Sequence, residues 1–312
     1  MSDPVAPQSP AIEPLVSPEW LAERLDDRNL LILDIRSVVD GGAREAYEAG
    51  HIPGAIHTDY AKDGWRATKG MASGLLPEHA ELAGLLSRIG LVPRYHAVIV
   101  SAGTTVGDFS AAARVTWTLK IAGHAKTSIL AGGMVAWRRD PLRKVEAGPG
   151  RAIAPSPSYP IELVPELRAD VDAVQGAISG ASAVLLDSRA TNFFEGRAKS
   201  PQAARAGRLP GAVQLDHALA FDSSAMALKP KAELEQLFAA IPRQPVINYC
   251  NTGHQAATNW FVLSEVLGRR GVSLYDGSLS EWTQEPGRPV EVGAVETSSE
   301  MTKTSVPIPK FA

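Results

Sequence analysis

The feature that most constrains the fold of this 312-residue chain is that its second half repeats the motifs of its first half. An apolar run ending in Asp-x-Arg occurs twice, as does a Gly-x-x-Pro-Gly-Ala turn sequence. The matched segments are 30–36 with 183–189, 50–55 with 207–212, 96–103 with 244–251, and 129–137 with 274–282. Because all four pairs keep the same order at a spacing of about 150 residues, the sequence predicts a duplicated domain.

Each half alternates short apolar segments with amphipathic stretches. Ser17 is a candidate N-cap with Pro18 at the first helical position, and Gly90 is a candidate C-cap of a later helix. Strands that alternate with helices indicate an α/β fold. We therefore expect two tandem domains, each a mainly parallel sheet with helices on both faces.

Composition predicts where the domains begin and end. The segment 147–160 is rich in Pro, Gly and Ser, as a linker is, and the residues after 285 show no periodicity. The predicted units are a flexible arm (1–14), a first domain (15–146), the linker (147–160), a second domain (161–285) and a tail (286–312).

Charge and hydropathy exclude several classes of function. A net charge of −3 provides no basic surface for nucleic acid, and no apolar run is long enough to span a bilayer. The N-terminus lacks the pattern of a signal peptide. The single cysteine cannot form an internal disulfide, which suits a reducing compartment, so we expect a cytoplasmic protein.

That cysteine, Cys250, lies between the apolar run "PVINY" and the helical pattern "AATNWFVLSEVLG". Ligands of open parallel sheets bind at the carboxyl ends of the strands. Gly253 allows successive N–H groups to turn inward as an anion nest, which would stabilise a thiolate together with the dipole of the following helix. The alternative is a buried structural cysteine. The strand–loop–helix setting favours the reactive thiol.

Taken together, these motifs resemble the tandem-domain rhodaneses, which are sulfurtransferases. The resemblance covers most of residues 15–285 and rests on Asp34/Arg36, Asp187/Arg189, the two Pro-Gly-Ala turns, the Cys250 loop and "YDGSLSEW". It implies a transferase that moves a sulfane sulfur from thiosulfate or a related donor to a thiol or cyanide acceptor. Sulfur would be carried as a persulfide on Cys250, with no metal or organic cofactor.

The same resemblance leaves two alternatives open. One is a 3-mercaptopyruvate-type sulfurtransferase, and the other is a non-enzymatic persulfide carrier or binding module on the same scaffold. The first half carries Ala102 where the second half carries Cys250, so we expect the first domain to be catalytically silent. We expect the partners to be small molecules rather than nucleic acid or a membrane. We expect the protein to be a monomer or a weak dimer.

The candidate active-site loop consists of Asn251, Thr252, Gly253, His254 and Gln255. Asn251 and Thr252 are uncharged, which is closer to the 3-mercaptopyruvate type than to the thiosulfate type. His254 is interpreted either as a positive charge or proton relay, or as a solvent-exposed loop histidine.

The cation that binds the donor is harder to assign. Relatives place an Arg before an aromatic-x-Gly unit, and this chain has Phe193 there. Arg197 is the preferred substitute, ahead of Lys199, Arg205 and Arg208. Arg189 is a second substrate-binding candidate, although its pairing with Asp187 is interpreted as structural because Asp34 and Arg36 repeat it in the silent half.

Cysteine phosphatases use a similar strand–loop–helix cradle. Their loop requires an Arg six residues after the cysteine, and Ala256 occupies that position. Phosphatase activity is therefore not expected.

If the loop stabilises a thiolate, alkylation of Cys250 by iodoacetamide should remain fast near about pH 6, below the usual range of thiol ionisation. The rate of mass gain by the intact protein measures this. A rate that rises only above about pH 8 would contradict the nest.

Overall fold

The structure, a computed structural model, describes residues 12–40, 42–153, 157–180 and 182–294. It contains two five-stranded parallel sheets, one in each half, and two small antiparallel hairpins. The order of the strands is equivalent in the two halves, so the predicted α/β duplication is confirmed.

The first half forms the sheet β1-β7-β6-β2-β3, in which every neighbouring pair is parallel. The hairpin β4–β5 lies outside that sheet. The elements are β1 (Leu15–Val16), α1 (Pro18–Ala22), β2 (Leu30–Asp34), α2 (Arg44–Ala49), β3 (Ile56–His57), β4 (Ala67–Lys69), β5 (Ala72–Leu75), α3 (His79–Arg88), β6 (His96–Val100), α4 (Val106–Ile121), β7 (Thr127–Leu130) and α5 (Gly133–Arg138).

The second half forms the sheet β10-β9-β13-β14-β8, also parallel throughout, with the hairpin β11–β12 beside it. Helix α9 continues into a π-helical turn at Val262–Val266. The elements are β8 (Arg168–Ala169), α6 (Val171–Gly180), β9 (Val184–Asp187), α7 (Thr191–Phe194), β10 (Val213–Gln214), β11 (Phe221–Asp222), β12 (Ala227–Leu228), α8 (Lys231–Leu237), β13 (Val246–Tyr249), α9 (Ala256–Phe261), β14 (Val272–Tyr275) and α10 (Ser278–Trp282).

The predicted helix signals act as expected. The Ser17 hydroxyl accepts a hydrogen bond from the N–H of Trp20 at 3.2 Å, and Pro18 is the first residue of α1. Gly90 has φ +68° just after α3, and the N–H of Leu91 bonds back to the carbonyl of Leu86. This positive-φ glycine closes the helix as a C-cap.

Both Asp-x-Arg motifs form buried ion pairs, at the ends of β2 and β9. Arg36 binds the Asp34 carboxylate at 2.7 Å and also donates to the carbonyl of Gly50. Arg189 binds Asp187 at 2.5 Å and donates to the carbonyl of Gly207. Each pair therefore fixes the Pro-Gly-Ala segment of its own half to the end of the sheet.

The largest of three hydrophobic clusters among the described residues is shared by the two halves and is built around α4 of the first half and α9 of the second; each half has a further cluster of its own. Phe109 packs edge-on against Phe261 at 5.8 Å between ring centroids, and the hydroxyls of Ser110 and Thr258 are 2.8 Å apart. The buried cluster contains residues of both sheets. Because burial of this apolar surface stabilises both halves together, the first half supports the second even without a nucleophile.

The ordered part of the second half extends past the predicted boundary at residue 285. The main chains of Arg208 and Glu291 pair with each other, and the Trp282 indole donates to the carbonyl of Pro289. The N–H of Gly293 donates a hydrogen bond to the carbonyl of Glu195. The segment through Gly293 is thus packed against this half and is not a tail. Residues 1–11, 154–156 and 295–312 of the predicted arm, linker and tail lie outside the described residues.

Across the described ranges, no helix is both long and apolar enough to cross a bilayer.

Candidate active site at the boundary between the halves

Cys250 directly follows β13, the central strand of the second sheet. It lies at the carboxyl edge that also carries Asp187 at the end of β9 and Asp276 after β14. The cysteine is 1% exposed and its thiol is free. The sequence-predicted position at the carboxyl end of the sheet is confirmed, and the thiol is shielded from solvent in this conformation.

Ser278 holds the Cys250 loop in place. Its hydroxyl accepts hydrogen bonds from the N–H groups of Cys250 and Gly253, both at 3.1 Å, and donates to the carbonyl of Tyr275 at 2.7 Å. Ser278 has φ +49°, a left-handed conformation that costs a non-glycine residue free energy. The matching residue of the silent half is Gly133, so the serine side chain is retained here at the cost of backbone strain.

Several backbone donors of the loop are available for an anion. Within the described part of the chain, no hydrogen-bond acceptor is found for the N–H groups of Asn251, Thr252, His254 and Gln255. Gly253 has φ +67°, as an inward-turned loop requires. These four residues are partly buried, and successive N–H groups without acceptors among the described residues form the kind of concavity that binds an anion.

The corresponding loop of the silent half is occupied by its own carboxylate. Asp108 accepts hydrogen bonds from the N–H and hydroxyl of Thr104, at 2.7 and 2.9 Å, and from the N–H of Thr105 at 3.2 Å. The first half therefore lacks both the thiol, replaced by Ala102, and free donors at these two positions.

Of the predicted substrate-binding arginines, Arg189 reaches the loop. Beyond its ion pair with Asp187, its Nη1 donates to the side-chain oxygen of Asn251 at 3.3 Å. The silent-half equivalent, Arg36, donates instead to the carbonyl of Ala46. Arg189 is thus placed to orient the first residue after the cysteine.

Arg197 lies on the surface of the second half. Its side chain is 66% exposed and its Nε donates to Glu195 at 2.6 Å, and it makes no hydrogen bond to described residues of the Cys250 loop. The remaining predicted cations bind main-chain carbonyls of their own half: Lys199 that of Ala203, Arg205 those of Glu285 and Arg288, and Arg208 that of Gly293.

The β4–β5 hairpin of the first half lies against the Cys250 loop. Its Ser73 exchanges hydrogen bonds with the Ser280 hydroxyl, and the N–H of Leu76 donates to the Asp276 carboxylate at 2.5 Å. Gly74 has φ +89°, and a side chain there would collide with the carbonyl oxygen of Thr252. The hairpin is therefore part of the wall of the site.

Arg114, on α4 of the first half, is a fully buried cation beside the loop. Its Nη2 donates to the carbonyl of Gly74 at 2.7 Å, whereas its Nε and Nη1 have no hydrogen-bond partner among the described residues. A Cβ added to Gly253 would be 2.6 Å from Nη1. Burial lowers the pKa of Arg114 and the nearby Asp276 charge raises it, but guanidinium remains protonated in proteins.

His254 is partly buried and is bonded to the first half. Its Nδ1 lies 2.9 Å from the hydroxyl of Tyr60. Burial first, and then the positive charge of Arg66, lower the pKa of His254 to about 3. His254 is therefore not the solvent-exposed histidine that was one of the predictions, and the lowered pKa favours a neutral imidazole; its role as a proton relay stays a prediction.

The sequence missed all the first-half contributions to this site. Arg114 alone left a signal: it is a single cation in the stretch "FSAAARVTWTL", which has no polar face to place it in solvent. Tyr60 and Gly74 left none, because contacts between the halves are not encoded in local patterns. Across residues 12–294, outside the gaps, no cluster of three or more His, Cys, Asp or Glu side chains could hold a metal ion.

The architecture and motifs match a known family. A family model described as a rhodanese-like domain matches residues 17–140 and 170–285, one copy in each half. The chain is 31% identical over 308 residues to a thiosulfate sulfurtransferase of Corynebacterium glutamicum, covering 95% of this chain and 94% of that protein. It is 30% identical to the 3-mercaptopyruvate sulfurtransferase of Escherichia coli K12, covering 88% of this chain and 97% of that one.

Solved structures agree with these similarities. The crystal structure of SseA from Escherichia coli, reported as a 3-mercaptopyruvate sulfurtransferase with the rhodanese fold, superimposes with a TM-score of 0.73 at 28% identity. The alignment covers 85% of this chain and 98% of SseA. YnjE gives a TM-score of 0.77 at 23% identity over 90% of this chain and 69% of that chain, and this likeness concerns the fold alone.

Replacing Gly74 by alanine should loosen the Cys250 loop, because the new methyl group collides with Thr252. We expect the free energy of unfolding to fall by about 1–3 kcal/mol, as for other overpacked sites, and alkylation of Cys250 to accelerate. Gly70→Ala is the matched control: it has a positive φ in the same hairpin but no atoms within 4 Å of the added Cβ. Equal effects in the two variants would show that the hairpin does not restrain the loop.

The neutral His254 makes the stability of the fold sensitive to acid. The unfolded chain protonates this residue below its ordinary pKa of 6.5, whereas the folded protein resists protonation until about pH 3. Stability should therefore fall as the pH decreases below 6.5, by up to about 1.4 kcal/mol per pH unit from this residue.

Urea unfolding of the wild type and of His254→Asn, at pH 7 and at pH 5, measures this contribution. Between pH 7 and pH 5, the free energy of unfolding should decrease less for His254→Asn than for the wild type. His79→Asn, at an exposed position, is the control and should behave like the wild type. A His254→Asn variant with the full wild-type loss would refute the assignment.

Proposed function

The chain belongs to the rhodanese family, and from that membership we propose that it is a sulfurtransferase. It moves a sulfane sulfur from thiosulfate or a related donor to a thiol or cyanide acceptor. The observation that carries the proposal is the position of Cys250, the single thiol of the chain, at the start of a loop in which four backbone N–H groups lack acceptors among the described residues.

In the first step, the Cys250 thiolate attacks the outer sulfur of thiosulfate. A new S–S bond forms while the S–S bond of the donor breaks, and sulfite leaves with the electron pair of that bond. The product is a Cys250 persulfide anion, so the total charge is unchanged. The loop formed by Asn251, Thr252, Gly253, His254 and Gln255 stabilises this anion through the N–H groups of its members other than Gly253, whose N–H is bound by Ser278.

In the second step, a nucleophilic acceptor attacks the terminal sulfur of the persulfide. Cyanide becomes thiocyanate, or a thiolate becomes a new persulfide, and the Cys250 thiolate is the leaving group. Both steps exchange one sulfur–sulfur bond for another bond to sulfur, so no external oxidant or reductant is needed.

The residues around the cysteine orient the loop for these steps. Ser278 holds the N–H groups of Cys250 and Gly253, and Arg189, anchored by Asp187, holds Asn251. We place Asp187 in a supporting role and Arg189 as the residue that positions Asn251. Arg197 remains the sequence-based candidate for binding the donor.

3-Mercaptopyruvate is the second candidate donor, favoured by the uncharged Asn251 and Thr252 and by the resemblance to 3-mercaptopyruvate sulfurtransferases. Here the thiolate attacks the mercapto sulfur and the carbon–sulfur bond breaks. The electron pair passes into the pyruvate enolate, which then takes the thiol proton on carbon. The same Cys250 persulfide results.

The shielding of Cys250 has a consequence for access. Because the residue is 1% exposed, a donor reaches the sulfur only after some movement at the boundary, and the β4–β5 hairpin is the element that covers the loop there. Between turnovers, the closed form would protect the persulfide from water and from stray thiols.

The proposed setting follows from the single thiol and the overall charge. A reducing compartment such as the cytoplasm supplies thiol acceptors and keeps Cys250 reduced. The partners are small molecules rather than nucleic acid, since the net charge is −3. A monomer or weak dimer is sufficient for the mechanism, because both halves that form the site belong to one chain.

Incubation with excess thiosulfate or 3-mercaptopyruvate should add about 32 Da to the intact protein, the mass of one sulfur atom bound as a persulfide. Subsequent addition of cyanide should return the original mass and release thiocyanate. Cys250→Ser should abolish both changes while leaving the thermal midpoint within a few degrees.

The ratio of the two steady-state kcat/KM values identifies the preferred donor. A protein that takes sulfur from neither donor would not be a sulfurtransferase of this type, and a partner in pull-downs that survives Cys250→Ser would then point to a binding module.

A further inference from the structure

The donor carries negative charge, yet the second half offers no unengaged arginine at the predicted positions. Phe193 replaces the expected Arg, Arg197 is paired with Glu195 on the surface, and Arg189 is committed to Asp187. The loop N–H groups are neutral donors, whereas a guanidinium forms stronger, charge-assisted hydrogen bonds with a carboxylate or a sulfonate-like group. The cation must therefore be sought elsewhere around the Cys250 loop.

Arg66 of the first half has the required properties. Its guanidinium carbon lies 4.6 Å from the centroid of the Tyr60 ring, and the Tyr60 hydroxyl contacts His254 of the Cys250 loop. Within residues 12–294, outside the gaps, the Arg66 guanidinium has no carboxylate partner and no hydrogen-bond acceptor. A partly buried guanidinium held over an aromatic ring keeps its planar face fixed and its N–H groups free.

Solvent reaches Arg66 through an open cavity of about 810 Å³ at the boundary between the halves. The cavity is bordered by the β4–β5 hairpin of the first half and by Arg168 and Glu281 of the second. A small anion has room to enter there and to meet Arg66, which is linked to the Cys250 loop through Tyr60 and His254.

A second cation reinforces the positive charge of this region. Arg114 is fully buried, and two of its nitrogens lack partners among the described residues, one of them beside Gly253. Asp276, the nearest acidic group, already accepts from Arg168 at 2.9 Å and from the N–H of Leu76. A buried charge that Asp276, shared with Arg168, compensates only in part is unfavourable, so the surroundings of Gly253 favour the arrival of an anion.

We propose that Arg66, a residue of the catalytically silent half, binds the anionic group of the sulfur donor. The ligand class is a small anion with a reactive sulfur: the sulfonate-like oxygens of thiosulfate or the carboxylate of 3-mercaptopyruvate pair with the guanidinium. This inference rests on the proposed sulfurtransferase function. It makes the silent half a part of the active site rather than a support for it.

The decisive comparison is between Arg66→Gln and Arg197→Gln, two arginines outside the core on opposite halves. For thiosulfate, Arg66→Gln should raise KM by about tenfold or more while kcat changes by less than about threefold, because binding charge is lost and the chemistry is retained. Arg94→Gln, at an exposed position of the first half, is the control and should leave both within about twofold. Arg66→Lys, which keeps the charge without the planar fork, should recover part of the loss.

Ionic strength provides a readout that a purely structural role would not move. Wild-type kcat/KM for thiosulfate should fall as salt screens the attraction, and Arg66→Gln should show a weaker salt dependence. The effect should be larger for the dianion thiosulfate than for the monoanionic carboxylate of 3-mercaptopyruvate.

The outcomes separate the two proposals. If the wild type is loaded with sulfur but Arg66→Gln retains its KM, the role of Arg66 is overturned and the sulfurtransferase function stands. If Arg197→Gln alone raises KM, the donor cation is Arg197. If the wild type takes sulfur from neither donor, both proposals fail together.

Discussion

The packing of α4 against α9 is the contact on which the rest of this structure depends. It joins the two sheets through one apolar core, with Phe109 against Phe261 and Ser110 bonded to Thr258. Because α9 begins where the Cys250 loop ends, any residue of α4 that reaches across this contact enters the site. Arg114 does so, and it also holds the β4–β5 hairpin through the carbonyl of Gly74. Stability and site geometry therefore have the same physical origin.

The two halves have the same sheet topology and the same buried ion pairs, but they differ in the residues of the Cys250 loop and of its counterpart in the first half. The buried Asp-x-Arg pairs and the strand order are equivalent in both halves. In one half, Asp108 fills its own loop with a carboxylate, and Ala102 stands at the strand end. In the other, the thiol is present and Ser278 adopts a left-handed conformation that a glycine occupies in the copy. In the first half, the carboxylate that accepts from the loop N–H groups stabilises that loop. In the Cys250 loop, the N–H groups without acceptors among the described residues contribute favourable free energy only when an anion binds to them.

The two sheets and the position of the Cys250 loop could be predicted because they depend on short sequence patterns that occur in both halves. Asp-x-Arg after an apolar strand, Pro18 after a capping Ser17, and Cys250 between a strand and a helix each act over a few residues. The donor region was not predictable in this way, since Tyr60, over which Arg66 lies, contacts the loop only through the docking of one half on the other. The predicted end of the second domain fell short of Glu291 for a related reason. This segment is held by main-chain pairing with Arg208, which leaves no periodic pattern of apolar residues in the sequence.

Dividing the site between two halves resolves a conflict between shielding and charge. A persulfide is best kept where water and thiols are excluded, and Cys250 is 1% exposed. A charged donor, however, must be recognised from solvent, which a closed apolar site does poorly because desolvating an anion is costly. Arg66, which lines the boundary cavity, and Arg114, buried beside the loop, offer positive charge on the solvent side and on the buried side of the site. Since those cations belong to one half and the thiol to the other, relative movement of the halves would alter donor binding and sulfur transfer together.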